Sequence, residues 1–231
     1  PIVLVTGPLV NTRAPTSGRM CVMSRSPLTG TVGDSSVGGS FASSLKKAGW
    51  DGIIISGKSR ELCGIEIKGS QCSFASARTL RENSVSQTRN NLDSGASHLI
   101  VGPAAENGAK FANIVVDSHF FAGRNGLGLV FAAKNLKYIT VKGEGRTPVY
   151  DPEGLKRARE DISRLISASP VLSGDLGFAH FGTGAMFDLM DSRRMMPTHN
   201  FRQSSFPHAG EMNAHSYLDR YNPRKAGCVG C

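Results

Sequence analysis

No run of eighteen consecutive apolar residues occurs in this 231-residue sequence, so nothing in it reads as a membrane-spanning helix. The N-terminus lacks the basic-then-apolar pattern of a secretory leader, and the expected location is the cytoplasm. Cysteine is scarce, five residues in all, which argues against a disulfide-stapled scaffold. Cys21, Cys63 and Cys72 sit among apolar or small residues and read as reduced, buried thiols. Acidic residues are outnumbered, 18 against 27 basic, for a formal charge of +9. The basic clusters, such as Lys156-Arg157-Ala158-Arg159 and Arg193-Arg194, are short and not interleaved with aromatics. That pattern fits a solvated basic face with a few arginines meeting anionic groups, and it argues against a nucleic-acid platform.

What the sequence has in quantity is glycine, serine and threonine between residues 16 and 39. The stretch Thr16 to Gly39 leads into an apolar pattern of helical spacing, Phe41, Leu45 and Ala48, with Gly49 as its stop and a strand from Gly52 to Ser56 beyond. Glycine leaves backbone N–H groups uncovered, and Gly38-Gly39 stands where the helix would begin, so the loop suits an anion. Arg19 adds a fork of N–H donors matched to phosphate or carboxylate. The same order returns about ninety residues later: Ala122 to Gly128, then Leu129, Ala133 and Leu136 at helical spacing, then a strand from Tyr138 to Val141. Two glycine-rich loops, each feeding a helix that returns to a strand, predict a pseudo-symmetric domain holding two phosphorylated groups or one ligand with two such ends.

The remaining elements follow from period and punctuation. Ile2–Thr6 and residues 19–24 read as strands, and Ser26-Pro-Leu-Thr-Gly30 as a turn. Residues 62–74 form a hairpin turning at Gly69, and 79–92 read as a surface helix. Residues 98–102 and 111–116 are strands with a turn at Glu106-Asn107-Gly108. Asp151 is the expected N-cap of a helix with Pro152 in its first turn and Leu155, Ala158, Ile162, Leu165 and Ile166 along one face. A domain boundary is expected between 145 and 151. His180, His199, His208 and His215 have no metal-binding spacing and read as loop histidines, while Pro197 to Phe201 and Gly182 to Gly184 are candidates to line a pocket. The sequence opens inside a strand pattern without an initiator methionine and closes within a metal-ligand motif, so it is expected to be a piece of a longer protein.

Cys228 and Cys231 form a Cys-x-x-Cys pair whose sulfurs converge across a turn. Zinc, an iron–sulfur cluster and a redox dithiol all use this spacing. One pair is half of a four-sulfur site, so the other ligands must lie elsewhere.

These pieces together resemble the tungsten- or molybdenum-containing aldehyde ferredoxin oxidoreductase family. The resemblance runs through residues 6–19, 26–30, 37–39, 45–58, 100–107, 122–128, 133–143, 196–201 and 226–231, nearly the whole chain. It implies an α+β N-terminal domain of two pseudo-symmetric β-sheets with short helices, residues 1–147, followed over 148–231 by the start of a mainly helical domain. It also implies a bis-molybdopterin (tungstopterin) cofactor holding tungsten or molybdenum, magnesium bridging the pterin phosphates, and a [4Fe–4S] cluster. Arg19 would then lie between pterin and cluster. Ser36, Val37, Gly38 and Gly39 match one pterin loop, and Phe120, Phe121, Ala122, Gly123 and Arg124 the other. Cys228 and Cys231 match the first two cluster cysteines.

The implied activity oxidises an aldehyde to a carboxylic acid and passes electrons through the cluster to ferredoxin or another electron-transfer subunit. A homo-oligomer is among the implied assemblies. The sequence departs from the archaeal aldehyde enzymes at Ser36, where they carry asparagine, and at Phe120-Phe121, where they carry Arg-Ala. Losing that arginine changes local charge and bears on substrate more than on cofactor. The resemblance places no catalytic residue within these 231 positions. A ring-reducing subunit of the benzoyl-CoA reductase type and a phosphate-binding module with structural zinc are the alternative readings.

Overall fold

Alternation of apolar and small or polar residues builds the first sheet. In β1 (Ile2–Thr6), Ile2 and Leu4 point inward; in β2 (Met20–Arg25), Met20 and Val22 do; in β3 (Val32–Val37), Gly33, Ser35 and Val37 do. The chain then enters α1 (Phe41–Lys47), stopped by Gly49 at φ +91°, and returns as β4 (Gly52–Ile55) beside β1. All pairings are antiparallel, in the order β3-β2-β1-β4. This computed structural model describes residues 1–223 together with Gly227 and Val229.

A hairpin follows, β5 (Cys63–Lys68) and β6 (Gln71–Ser76), turning at Gly69 with φ +56°. The helix expected over 79–92 is instead a 3-10 turn at Arg78–Leu80 and α2 (Val85–Asn90), interrupted at Glu82, whose φ is +62°. A reciprocal capping box between Ser84 and Gln87 starts α2 there. Next come β7 (Ser97–Ile100), the one-turn α3 (Pro103–Glu106), β8 (Ile114–Val116), β9 (Phe120–Ala122), α4 (Leu127–Ala133) and β10 (Leu136–Lys142). The segment expected to turn at Glu106 is thus a helical turn, and the strand expected from 111 starts at Ile114.

The second sheet runs β6-β5-β10-β7-β8-β9. Within it, β7, β8, β9, α4 and β10 repeat the connectivity of β1, β2, β3, α1 and β4: a three-stranded meander, a helix, and a fourth strand returning antiparallel beside the first. The doubling read from the glycine-rich loops therefore extends to the whole topology. The β5–β6 hairpin lies outside the repeat and joins it through the parallel β5–β10 pair.

Helix α1 touches β1 of one sheet and β7 and β10 of the other, and α4 touches β2 of one and β8 and β10 of the other. Both helices therefore lie between the sheets. Phe41, Leu45, Leu127 and Phe131 meet Ile2, Leu4, Leu99, Ile114 and Ile139 in one buried core. Each such side chain contributes about 1.5–3 kcal/mol on burial.

The described residues 151–223 belong to a separate unit. Asp151 caps α5 (Pro152–Ala168) by accepting from Gly154 N–H at 2.8 Å, with Pro152 in the first turn. The expected apolar face is there but open: Ile162, Leu165 and Ile166 are exposed, and α5 buries no residue. Shorter helices follow, α6 (Pro170–Ser173), α7 (Phe178–Phe181), α8 (Phe187–Ser192) and α9 (Ala214–Tyr221). Among the described residues of this unit only Gly177, Thr198 and Ala209 are buried. The thiols differ from their common reading: Cys63 is buried, Cys21 half-buried and Cys72 exposed, because Cys72 falls on the open face of edge strand β6.

Candidate functional site

The two predicted loops, distant along the sequence, meet where β3 touches β9. Arg19 stands one residue before β2, and Cys21 of that strand pairs with Ser36 of β3. Its guanidinium reaches across the pair: Nε donates to Ser36 Oγ at 2.9 Å and Nη2 to the Ser36 carbonyl at 2.6 Å. This bidentate grip leaves the other N–H groups of an exposed guanidinium free to meet an anion. Ser36 is exposed, while Val37, Gly38 and Gly39 turn inward toward α1. Gly39 adopts φ +99°, and a Cβ there would stand 2.9 Å from Asp117 Oδ2 and 3.1 Å from the Phe120 ring. One candidate loop thus presses directly on the other.

In the second loop Phe120 is half-buried, Phe121 exposed and Ala122 fully buried. Arg124, Asn125 and Gly126 then take three successive left-handed conformations that turn the chain into α4. Gly126 is required there because a Cβ would collide with the Lys110 carbonyl and with Pro27. Asn125 Nδ2 donates to the Asp34 carbonyl of β3 at 2.7 Å, and Ser26 Oγ donates to the Asn125 carbonyl at 2.8 Å. The Ser26–Gly30 turn is therefore also a clamp between the repeats, which its local pattern did not show.

The α1 N-terminus, expected to face an anion, already meets one. Asp117 Oδ2 accepts from Ser40 N–H at 2.6 Å and from Ser40 Oγ at 2.8 Å. Asp117 carries no motif in the sequence; its role emerges only from a partner 77 positions away.

Among the described residues neither Arg19 nor Arg124 pairs with a carboxylate. Two buried oxygens beside the second loop, Ser118 Oγ and Asn113 Oδ1, have no hydrogen-bond partner, and the Asn113 side chain faces Gly123. Burial first and the Asp34 charge second push the Cys21 thiol up, so beside Ser36 it stays protonated. Unpaired guanidiniums beside a glycine-lined backbone, next to buried polar atoms awaiting partners, fit a polyanionic, polar group such as a phosphorylated pterin.

Two cavities among the described residues lie away from the two loops. One, of about 410 Å³, lies between Ile55, Phe74 and Leu136 in the first unit. The other, of about 270 Å³, is in the second unit, lined by Phe187, Met196, Pro197, Thr198 and His199 among others. Pro197 to His199 do line a pocket; Gly182 to Gly184 do not line this one. Among the described residues no three His, Cys, Asp or Glu side chains converge on a metal position. Cys228 and Cys231 lie outside the described residues.

Residues 1–143 match the family model for the N-terminal domain of aldehyde ferredoxin oxidoreductase, and 157–231 match the model for its domains 2 and 3. The chain belongs to the aldehyde ferredoxin oxidoreductase family. It is 36% identical over 236 residues to the tungsten-containing aldehyde ferredoxin oxidoreductase of Thermococcus kodakarensis, covering all of this chain and 38% of that protein. The Pyrococcus abyssi protein of the same name is 37% identical, with 100% and 39% covered. An aliphatic sulfonate oxidoreductase WOR-like subunit of Pyrococcus furiosus is 28% identical over 87% of the chain and 34% of its own length. The chain thus spans well under half the length of these relatives. Among solved structures, the active-site complex of benzoyl coenzyme A reductase superposes with a TM-score of 0.80, at 23% identity, over 100% of this chain and 37% of that one. At that identity the likeness is one of fold.

Proposed function

We propose that this chain is the cofactor-binding part of a tungstopterin or molybdopterin oxidoreductase that converts an aldehyde and water to a carboxylic acid. An electron pair leaves through a [4Fe–4S] cluster to ferredoxin or another electron-transfer subunit. The observation that carries the reading is the meeting of the two loops: an exposed guanidinium fixed on Ser36, set against a second loop from the other repeat.

In this reading residues 1–147 are the cofactor domain, and 148–231 open a helical domain ending in the cluster motif. Ser36 to Gly39 would hold one pterin and Phe120 to Arg124 the other, with magnesium as an accompanying ion. When bound, the pterin-held metal supplies the two-electron redox chemistry that side chains lack. The chain's own residues bind and orient. Arg19 and Arg124 neutralise phosphate charge, backbone N–H groups along the loops donate to it, and Phe120 and Phe121 cover the second loop with apolar surface that excludes water. With phenylalanines at these two positions, the anion-binding charge near the second loop falls to Arg124. Cys228 and Cys231 supply two of the cluster thiolates, and the protein works in the cytoplasm.

The reading is supported by family membership and by the relatives' printed names, and the fold likeness to benzoyl coenzyme A reductase does not favour a ring-reducing role over it. Elemental analysis of the anaerobically prepared full-length protein tests it. One tungsten or molybdenum with about four irons per chain is expected for a pterin metal and one cubane cluster. A folded protein holding zinc but no iron, tungsten or molybdenum would overturn it.

A further inference from the structure

We propose that Asp117 is a positioning residue that sets the spacing between the two cofactor loops, a role that rests on the cofactor reading above. Asp117 lies in the tight β8–β9 turn, where it and Ser118 take consecutive left-handed conformations at φ +47° and +65°. Non-glycine residues hold such conformations only where their surroundings over-determine them. Here the surroundings are a carboxylate with donors on both oxygens. Oδ1 accepts from His98 N–H at 3.0 Å, inside its own repeat. Oδ2 accepts from Ser40 N–H and Ser40 Oγ, in the other repeat.

The network continues behind it. Ser40 Oγ also meets Ser97 Oγ, which in turn meets Ser44 Oγ of α1 at 2.9 Å. The turn that launches the second loop is therefore bonded to the residue that ends the first. The fit leaves no slack, because a side chain at Gly39 would collide with Asp117 Oδ2, Val116 and Phe120. A carboxylate accepts donors from two directions at once, and an amide in its place must turn an NH₂ toward one of them. The identity of this residue thus decides whether both loops are held in one frame. A cofactor held by both loops would need them in that frame.

The test uses the full-length protein carrying Asp117→Asn, Ser40→Ala or the hydroxyl-retaining Ser40→Thr, read by hydrogen exchange and by pterin and tungsten or molybdenum content. Asp117→Asn and Ser40→Ala are expected to speed exchange at least about tenfold, the loss of one hydrogen bond to a charged acceptor, in residues 36–40 and 120–124 alike. Pterin and metal content should fall together in both variants and stay near wild type in Ser40→Thr. Faster exchange confined to the β8–β9 turn, or full cofactor content in Ser40→Ala, would overturn the proposal. Should Asp117→Asn fail to fold, the Ser40 pair decides alone. Wild-type protein without pterin would instead defeat the cofactor reading, while the exchange experiment would still report whether Asp117 couples the loops.

Discussion

Glu106 lies in a sequence stretch whose default reading is a turn, yet the structure makes it half of a buried ion pair. Lys137 of β10 is fully buried; its ammonium meets the Glu106 carboxylate and donates to the Asn83 carbonyl at 2.9 Å. The other Glu106 oxygen accepts from Glu82 N–H at 2.7 Å. One pair thus ties β10, α3 and the segment before α2 together. Lys137→Met keeps the aliphatic stem and strands a carboxylate that is 7% exposed, at a cost of about 3–5 kcal/mol. Glu106→Leu strands the ammonium at a similar cost.

If the two were independent the double variant would lose about 6–10 kcal/mol. With both charges gone, what remains unpaired is the Asn83 carbonyl and the Glu82 N–H, about 1–2 kcal/mol each. The double variant should therefore lose only about 2–4 kcal/mol. Native-state hydrogen exchange at the β10 and β7 amides of the full-length protein reads these opening free energies directly. Losses that add to within about 0.5 kcal/mol would refute the claim that the charges are worth their burial only as a pair.

Arg19→Ala removes both bonds to Ser36 and the exposed guanidinium, and pterin and metal content of the purified full-length protein should fall; unchanged content would remove Arg19 from the site. His98 is buried, and that burial holds its imidazole below the ordinary 6.5, with partial opposition from the Asp93 carbonyl and the Asp117 charge. The folded chain therefore binds this proton less readily than the unfolded chain, which takes up more protons as pH falls through 6.5, and stability drops there by up to about 1.4 kcal/mol per pH unit. Denaturant midpoints between about pH 5 and 7 should show a shallower slope in His98→Gln, and an equal slope would contradict the assignment. A Cβ at Gly64 would fall inside the ring of buried Tyr138, so Gly64→Ala should cost about 1–3 kcal/mol or more. Gly49→Ala, in open space at φ +91°, should cost only about 1–2 kcal/mol of backbone strain; thermal unfolding of the two should rank them in that order.

What could be read without coordinates was whatever the chain encodes locally. Phe41 and Leu45 on α1, the Gly49 stop, the Asp151 cap and the Gly69 hairpin each depend on residues within a turn or two, so their spacing alone announces them. The doubled loop was legible for the same reason, since each copy repeats a local order of glycines, helix and strand. Strands β3 and β9 were not. Gly33 and Ser35 fill inward positions of β3 where no large apolar residue marks a face, and β9 has three residues, too few for a period. Their existence is settled by pairing partners, which only the assembled sheet supplies. α5 shows the converse: its apolar face is legible, but burial depends on what covers it, and although α5 contacts α6 none of its residues is buried.

The charged and polar ties between distant segments likewise belong to tertiary structure. Lys137 with Glu106, Asn125 with Asp34 and Asp117 with Ser40 span 31, 91 and 77 positions. A lone Asp or Lys carries no sign of its partner, because a hydrogen bond depends on distance in space and is indifferent to separation along the chain. The sequence alone pointed to two glycine-rich loops as candidates and determined which fold class carries them. Only the folded chain decided that those loops touch, that an internal carboxylate already meets the first helix N-terminus, and that Arg19 is held by Ser36 rather than by an acid.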